Sequence, residues 1–162
     1  KAVALLAESE FIDIFGVENS LTPAMDLFTK LGYLGLTCRL NTDAYLQQIG
    51  AGHLPHGAVA VAFSHSGSSA DTVKALRLAK SHGAKTIAIT NAIGAPLASW
   101  ADVTLLTGRD SHTIYGNAIF SRVADTALVD MLYMGVILSD YGRFSTALDE
   151  SGRMIRDRVF EN

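Results

Sequence analysis

The stretch Val59-Ala60-Val61-Ala62-Phe63-Ser64-His65-Ser66-Gly67-Ser68-Ser69-Ala70-Asp71-Thr72 limits the fold more than any other part of this chain. An apolar run of strand length passes directly into a Ser/Gly turn. Beyond it Val73, Leu76 and Ala79 recur at helical spacing, so the segment predicts strand, loop, helix. The first amides of a helix have no intrahelical partner and its dipole is positive there, which suits an anion such as phosphate. Four serines and one glycine in residues 64–69 add short hydroxyls without bulk. In isolation the same residues also serve as turn formers, with Ser68 or Ser69 as a plain N-cap. The surrounding chain decides between these readings.

The strand–helix alternation continues on both sides. Residues 11–17 form a first strand, and Glu18-Asn19-Ser20 with Thr22-Pro23 open a helix through Leu31, capped by Ser20 or Thr22. A short strand spans Thr37 to Leu40, and Asn41-Thr42-Asp43 start another helix that ends at Gly50-Ala51-Gly52. After the third strand and the helix closed by Ser81-His82-Gly83 comes a fourth strand, Lys85 to Thr90. A loop with a short helix near Pro96 to Ser99 then leads to a fifth strand, Val103 to Thr107. Residues 115–139 read as one long helix with few polar breaks, which suggests burial on more than one face. A closing amphipathic helix follows from about Phe144 to Val159. Alternation with short connections predicts an α/β fold, a three-layer α-β-α sandwich on a five-stranded parallel sheet. Ligands of such sheets bind beyond the C-terminal strand ends, where the winding reverses. The Ser-bearing turns at 16–20 and 64–69 flank that crevice if strands one and three are neighbours.

Composition excludes several classes. The chain has 162 residues, 49% apolar and 18% charged, which fits one folded domain and not a disordered segment. A net charge of −3 without a Lys/Arg cluster argues against this segment gripping a phosphodiester backbone. The lone Cys38 forms no internal disulfide and reads as a small core residue. With no signal-peptide pattern or membrane-length apolar run, the expected setting is cytoplasmic, away from membranes. Lys1 falls inside what reads as an ongoing helix, so the expectation is one domain over 1–162 cut from a longer parent.

Other chemistry is poorly supported. Gly16-Val17-Glu18-Asn19-Ser20-Leu21 lacks the later glycines of a dinucleotide loop, and no Walker sequence occurs, so no nucleotide cofactor is expected. His53 and His56 flank a proline with no Cys or acidic cluster to complete a metal sphere, so no metal is expected. His65, within the Ser loop, faces either ligand or solvent. His112 reads as a solvated loop residue near a strand end. Glu18 and Glu150 have no evident acid–base partner. Arg122, halfway along the long apolar helix, needs an anionic partner if buried: Asp125 or Asp130 within the chain, or else a ligand or interface group. The stripe Val129, Leu132, Tyr133, Val136, Ile137 reads as core or subunit interface.

Ser64-His65-Ser66-Gly67-Ser68-Ser69-Ala70-Asp71-Thr72 after an apolar strand resembles the Ser-x-Ser-Gly-x-Ser/Thr-x-Asp/Glu-Thr phosphosugar loop of SIS (sugar isomerase) domains. The similarity extends over almost the whole chain, through Phe15-Gly16-Val17…Ser20, Gly83 to Thr90, and Ile119-Phe120-Ser121-Arg122-Val123-Ala124 with Asp130-Met131-Leu132-Tyr133-Met134. The Ser-Arg helix is most similar to the effector domain of RpiR-type transcriptional regulators. The resemblance implies flavodoxin-like strand order, pairing of domains through helices, and a sugar phosphate held by Ser64, Ser66, Gly67, Ser68 and Ser69. Asn19 and Ser20 would approach from the first loop. Asp43 falls where these regulators often offer a His to the sugar, and Arg122 is a further ligand candidate. Glu18 replaces the second glycine of the usual Gly-x-Gly-x-Ser, adding negative charge near the phosphate. The expected function is a sensor of a hexose or amino-sugar 6-phosphate, working as a homodimer or higher homo-oligomer. It would control DNA binding by a separate helix-turn-helix domain. The alternative is an aldose–ketose isomerase using Glu18, His65 or Glu150.

Overall fold

The computed structural model describes residues 1–108 and 122–156. Its elements follow the expected alternation: α1 (Ala2–Glu8), β1 (Ile12–Phe15), a 3-10 turn (Glu18–Ser20), α2 (Leu21–Tyr33), β2 (Cys38–Leu40) and α3 (Ala44–Ala51). Then come β3 (Val59–Phe63), α4 (Ala70–Ser81), β4 (Lys85–Thr90), a second 3-10 turn (Pro96–Trp100), β5 (Val103–Leu106), α5 (Val123–Ser139) and α6 (Tyr141–Met154). The five strands are all parallel, in the order β2-β1-β3-β4-β5. β1 and β3 are therefore neighbours, with Ile12 opposite Val59 and Phe15 opposite Ala62. The winding reverses between them.

Side-chain size explains the two layers. Successive strand residues point to opposite faces, and β3 and β4 alternate large with small. Val59, Val61, Phe63, Ile87 and Ile89 join Ile12 and Ile14 in the larger core, under α1, α2, α5 and α6. Ala60, Ala62 and Ala88 face the other way, where Ala75, Leu76 and Ala79 of α4 pack closely over them. Strands buried on both faces read as continuous apolar runs, as β3 does.

Asp13 is the exception within β1. Its side chain is 1% exposed and takes a two-pronged hydrogen bond from Arg39 on β2, Nε to Oδ1 at 3.0 Å and Nη2 to Oδ2 at 2.6 Å. Burial raises the Asp13 pKa, and the Arg39 hydrogen bonds only partly offset that rise. The guanidinium lies over the Phe11 ring at 5.2 Å and under Gly50, where any Cβ would come within 2.6 Å of Nη2.

Three expectations are corrected. Neither Ser20 nor Thr22 caps α2 through its side chain: the 3-10 turn runs straight into the helix, and Ser20 itself has helical backbone angles. Arg122 is not in mid-helix; it is the residue preceding α5, with φ −96° and ψ 8°. The proposed helical residues 115–121, Ser121 and His112 lie outside the described residues. Finally, α5 is buried on one face only within this chain. Val129, Leu132, Val136 and Ile137 enter the core, while Val123, Met131, Met134 and Leu138 on the other side are exposed. The first of these stripes is thus core, and Cys38 is a half-buried strand residue whose thiol pKa burial pushes up to about 12.

Replacing Arg39 by Ala leaves the Asp13 carboxylate buried without its partner, so the variant should lose about 3 kcal/mol of stability at pH 7. Because burial raises the folded-state pKa of Asp13, the penalty falls as pH drops through that value and grows as pH rises. Urea unfolding at a series of pH values from 7 downward measures both; a loss that grows as the pH falls would contradict the assignment.

Candidate functional site

The C-terminal ends of β1 and β3 open into a cleft of about 460 Å³, lined by Val17, Glu18, Asn19, Ser20, Ser64, His65, Ser66, Ser69, Asp71 and Arg122. Three pieces of chain meet there: the turn after β1, the Ser loop after β3 with the first turn of α4, and the residue that opens α5. Of the residues singled out from sequence, the structure brings Asn19, Ser20, Ser64, Ser66, Ser69 and Arg122 to one cleft. Gly67, Ser68 and Asp43 are not among the lining residues. Asp43 caps α3 instead, its carboxylate accepting from the Leu46 amide at 2.9 Å. Glu150, on α6, is also absent from the lining.

Ser68 and Gly67 shape the loop. The Ser68 amide donates to Ser66 Oγ at 3.2 Å and the Ser68 hydroxyl to the Ser66 carbonyl at 3.3 Å, holding the turn around the lining serine. Gly67 is buried at φ +62°, and its carbonyl accepts from the Leu97 amide at 2.9 Å. A Cβ there would come within 2.3 Å of the Ala95 Cβ and 2.8 Å of Thr90 Oγ1. The loop is thus pressed against the end of β4. From that strand end the Asn91 amide at 3.0 Å and the Thr90 hydroxyl at 3.2 Å both donate to the His65 carbonyl. Ser69 is the N-cap of α4 but makes no side-chain cap; its hydroxyl accepts from Thr72 Oγ1 at 3.3 Å.

The opposite wall hangs on Gln47, which sequence reasoning missed. Its side chain, 1% exposed, donates to the carbonyls of Gly16 at 2.7 Å and Asn41 at 2.8 Å, and accepts from the Gly16 amide at 3.3 Å. The pair with Gly16 mimics one rung of a sheet and fixes where the β1 turn leaves the strand. A signal existed, since Gln47 shares the buried side of α3 with Gly50 and Ala51. Two residues on, Glu18 has φ +51°, the only non-glycine with positive φ among the described residues. That is the position where the resemblance expects glycine.

Charge in the cleft is mixed. Arg122 Nε and Nη1 are buried and have no hydrogen-bond partner among the described residues. Neither internal carboxylate considered for it forms an ion pair with it among the described residues: Asp130 binds Lys30, which also holds Asp26 at 2.7 Å. Asp125 is buried in the first turn of α5. His65 is held below the ordinary imidazole pKa, first by burial and then by the nearby Arg122 charge, against a smaller opposing pull from Asp125. Asp71 stands in the first turn of α4, where the helix dipole favours a carboxylate, and accepts from Gln48 Nε2 at 3.2 Å. Short hydroxyls, a helix N-terminus and a guanidinium are groups whose chemistry suits a tetrahedral anion. Among the described residues no group of three His, Cys, Asp or Glu side chains is arranged to hold a metal ion, and no helix is long and apolar enough to cross a membrane.

The sequence profile described as SIS domain matches residues 5–135. Over its full length the chain is 31% identical to an uncharacterised HTH-type transcriptional regulator of Caldanaerobacter subterraneus, covering 57% of that protein. It is 26% identical over 143 residues, 88% of the chain, to the HTH-type transcriptional regulator RpiR of Escherichia coli, covering 48% of it. The chain thus spans about half the length of these relatives. Among solved structures, the Vibrio vulnificus NanR protein complexed with ManNAc-6P superposes with a TM-score of 0.90 at 25% identity, over 98% of this chain and 60% of that one.

Gly67→Ala should destabilise the chain by about 2 kcal/mol, because the new Cβ meets both an unfavourable φ and two close neighbours. Thermal unfolding of the variant tests this; an unchanged midpoint would mean the loop is free to lift away from β4.

Proposed function

Because the chain belongs to the SIS domain family, we propose that it is the phosphosugar-sensing domain of a transcriptional regulator, and that its ligand sits in the cleft between the β1 turn and the Ser loop. The observation that carries this reading is the Arg122 guanidinium. Burying a donor without an acceptor is costly, and among the described residues two of its nitrogens are buried without an acceptor in a cleft already lined with three Ser-loop hydroxyls. A sugar phosphate supplies the missing anion. Ser64, Ser66 and Ser69 hold the phosphate together with the first amides of α4, Asn19 and Ser20 meet the sugar from the other wall, and Gly67 and Ser68 keep the loop in shape. Asp43 acts as a helix cap, outside the contact set. A relative in complex with ManNAc-6P on the same fold supports a hexose or amino-sugar 6-phosphate as the class of ligand.

In a parent of the relatives' length, a separate helix-turn-helix domain binds DNA, and the sugar phosphate acts by favouring one of two arrangements of that assembly. The exposed side of α5, Val123, Met131, Met134 and Leu138, is covered by a second copy of the domain; such a contiguous apolar strip marks an association surface. Ligand binding is read as sensing and not as catalysis because the relatives this chain resembles in sequence are transcriptional regulators, and because Glu150, one of the groups considered for an isomerase, is not among the lining residues.

Titration calorimetry with glucose 6-phosphate and N-acetylmannosamine 6-phosphate, alongside an aldose–ketose assay, tests the reading. Saturable binding without turnover is expected; turnover would make the chain an isomerase, and no binding would remove the ligand assignment. Ser66→Ala should weaken binding by about 1–3 kcal/mol, the worth of a hydrogen bond to a charged group. Arg122→Met should weaken it by about 2 kcal/mol or more, and unchanged affinity in either variant would defeat that residue's role. Met131→Glu with Leu138→Glu should shift the chain to monomer in sedimentation, and an unaffected oligomer would place the interface elsewhere.

A further inference from the structure

The cleft that receives the phosphate also carries a carboxylate whose backbone conformation disfavours it. Glu18 stands at φ +51°, a region that glycine enters freely and that side-chain-bearing residues adopt at a cost. Nothing local compensates: the 3-10 turn it begins has no side-chain cap, and none of the described hydrogen bonds or ion pairs involves its carboxylate. Glu18 is nevertheless a lining residue, on the β1 turn, whereas the Ser loop and α4 N-terminus that suit the phosphate belong to the other side of the winding reversal. The β1 turn is itself fixed by Gln47 through the Gly16 amide and carbonyl, so the carboxylate is offered from an anchored position. One end of the cleft is thus anion-receptive and the other presents an anion.

We propose that Glu18 is a specificity-determining residue that selects a sugar phosphate bearing a free, protonated amine over one bearing a hydroxyl or an N-acetyl group at the same carbon. The inference rests on the phosphosugar reading above and goes beyond it by naming the charge of the ligand's sugar end. A dianionic phosphate entering a cleft that contains Glu18 and Asp71 gains from Arg122 and the α4 N-terminus but is repelled by the Glu18 carboxylate. Asp71 is already balanced by the helix dipole and by Gln48. An ammonium group on the sugar turns the remaining repulsive contact into an attractive one. An acetylated nitrogen is neutral and bulkier, and a hydroxyl brings no charge, so neither offsets the carboxylate.

The test compares glucosamine 6-phosphate, glucose 6-phosphate and N-acetylglucosamine 6-phosphate by calorimetry on the 162-residue chain and on Glu18→Gln and Glu18→Gly. For an exposed ion pair the wild type should prefer the free amine by about fivefold. Both variants should lose that preference, and neither should bind glucose 6-phosphate more weakly than the wild type does. The preference should also fade as salt rises and as pH rises through the ligand's own amine pKa. Equal affinities for the three sugars in the wild type, or a preference that survives in both variants, overturns the role of Glu18 and leaves the phosphosugar reading standing. Absence of saturable binding for all three overturns that reading as well.

Discussion

Everything at the cleft depends on β1 and β3 lying side by side while the chain winds outward from them in opposite directions. Only there do two strand-to-helix turns diverge and leave a gap instead of filling it. The alternation of large and small side chains in β3 and β4 sustains that arrangement. Valine, isoleucine and phenylalanine build the thick core beneath α1, α2 and α5, while the alanines let α4 sit close to the sheet. A close α4 brings its N-terminus, with Ser69 and Asp71, to the lip of the gap.

The two walls are held by different means. The Ser loop is fastened to β4 by hydrogen bonds to the His65 carbonyl and by the absence of a side chain at Gly67, so its hydroxyls are aimed by packing. The β1 turn is fastened by an amide side chain, Gln47, that stands in for a backbone neighbour. Among the described lining residues the positive charge is Arg122, delivered by the start of α5 with Nε and Nη1 buried, and on the proposed reading it is what suits the cleft to an anion. In that reading the carboxylate of Glu18, on the β1 turn, gives the cleft a direction.

Much of this was legible in the sequence. The apolar run before the Ser/Gly turn fixed β3, its loop and α4 with their boundaries, because both periodicities are strong and the turn residues separate them sharply. Crossover handedness narrowed the strand order without choosing it, and the flavodoxin-like order that the family resemblance implied is the one that sets β1 beside β3. Other features were hidden for physical reasons. Arg122 read as a mid-helix residue because apolar neighbours continue the helical period on both sides of it, and no breaker marks the start of α5. Gln47 was passed over because one polar residue in an amphipathic helix looks like surface until the buried side is known. The Ser68 hydroxyl could not be told from its neighbours, since direction within a six-residue loop depends on φ at Gly67 and on the β4 end it leans against. Asp43 sits where the family resemblance suggested a sugar contact, yet a short carboxylate just before a helix satisfies that helix's own amides first.

The account turns on where a phosphate comes to rest. A crystal structure of the chain grown with a saturating hexose 6-phosphate measures this directly. The account predicts phosphate density among the hydroxyls of Ser64, Ser66 and Ser69, at the N-terminus of α4 and within hydrogen-bond distance of the Arg122 guanidinium, with the sugar extending toward the Asn19 and Ser20 turn. A phosphate bound elsewhere on the surface, or an empty cleft under saturating ligand, would contradict it.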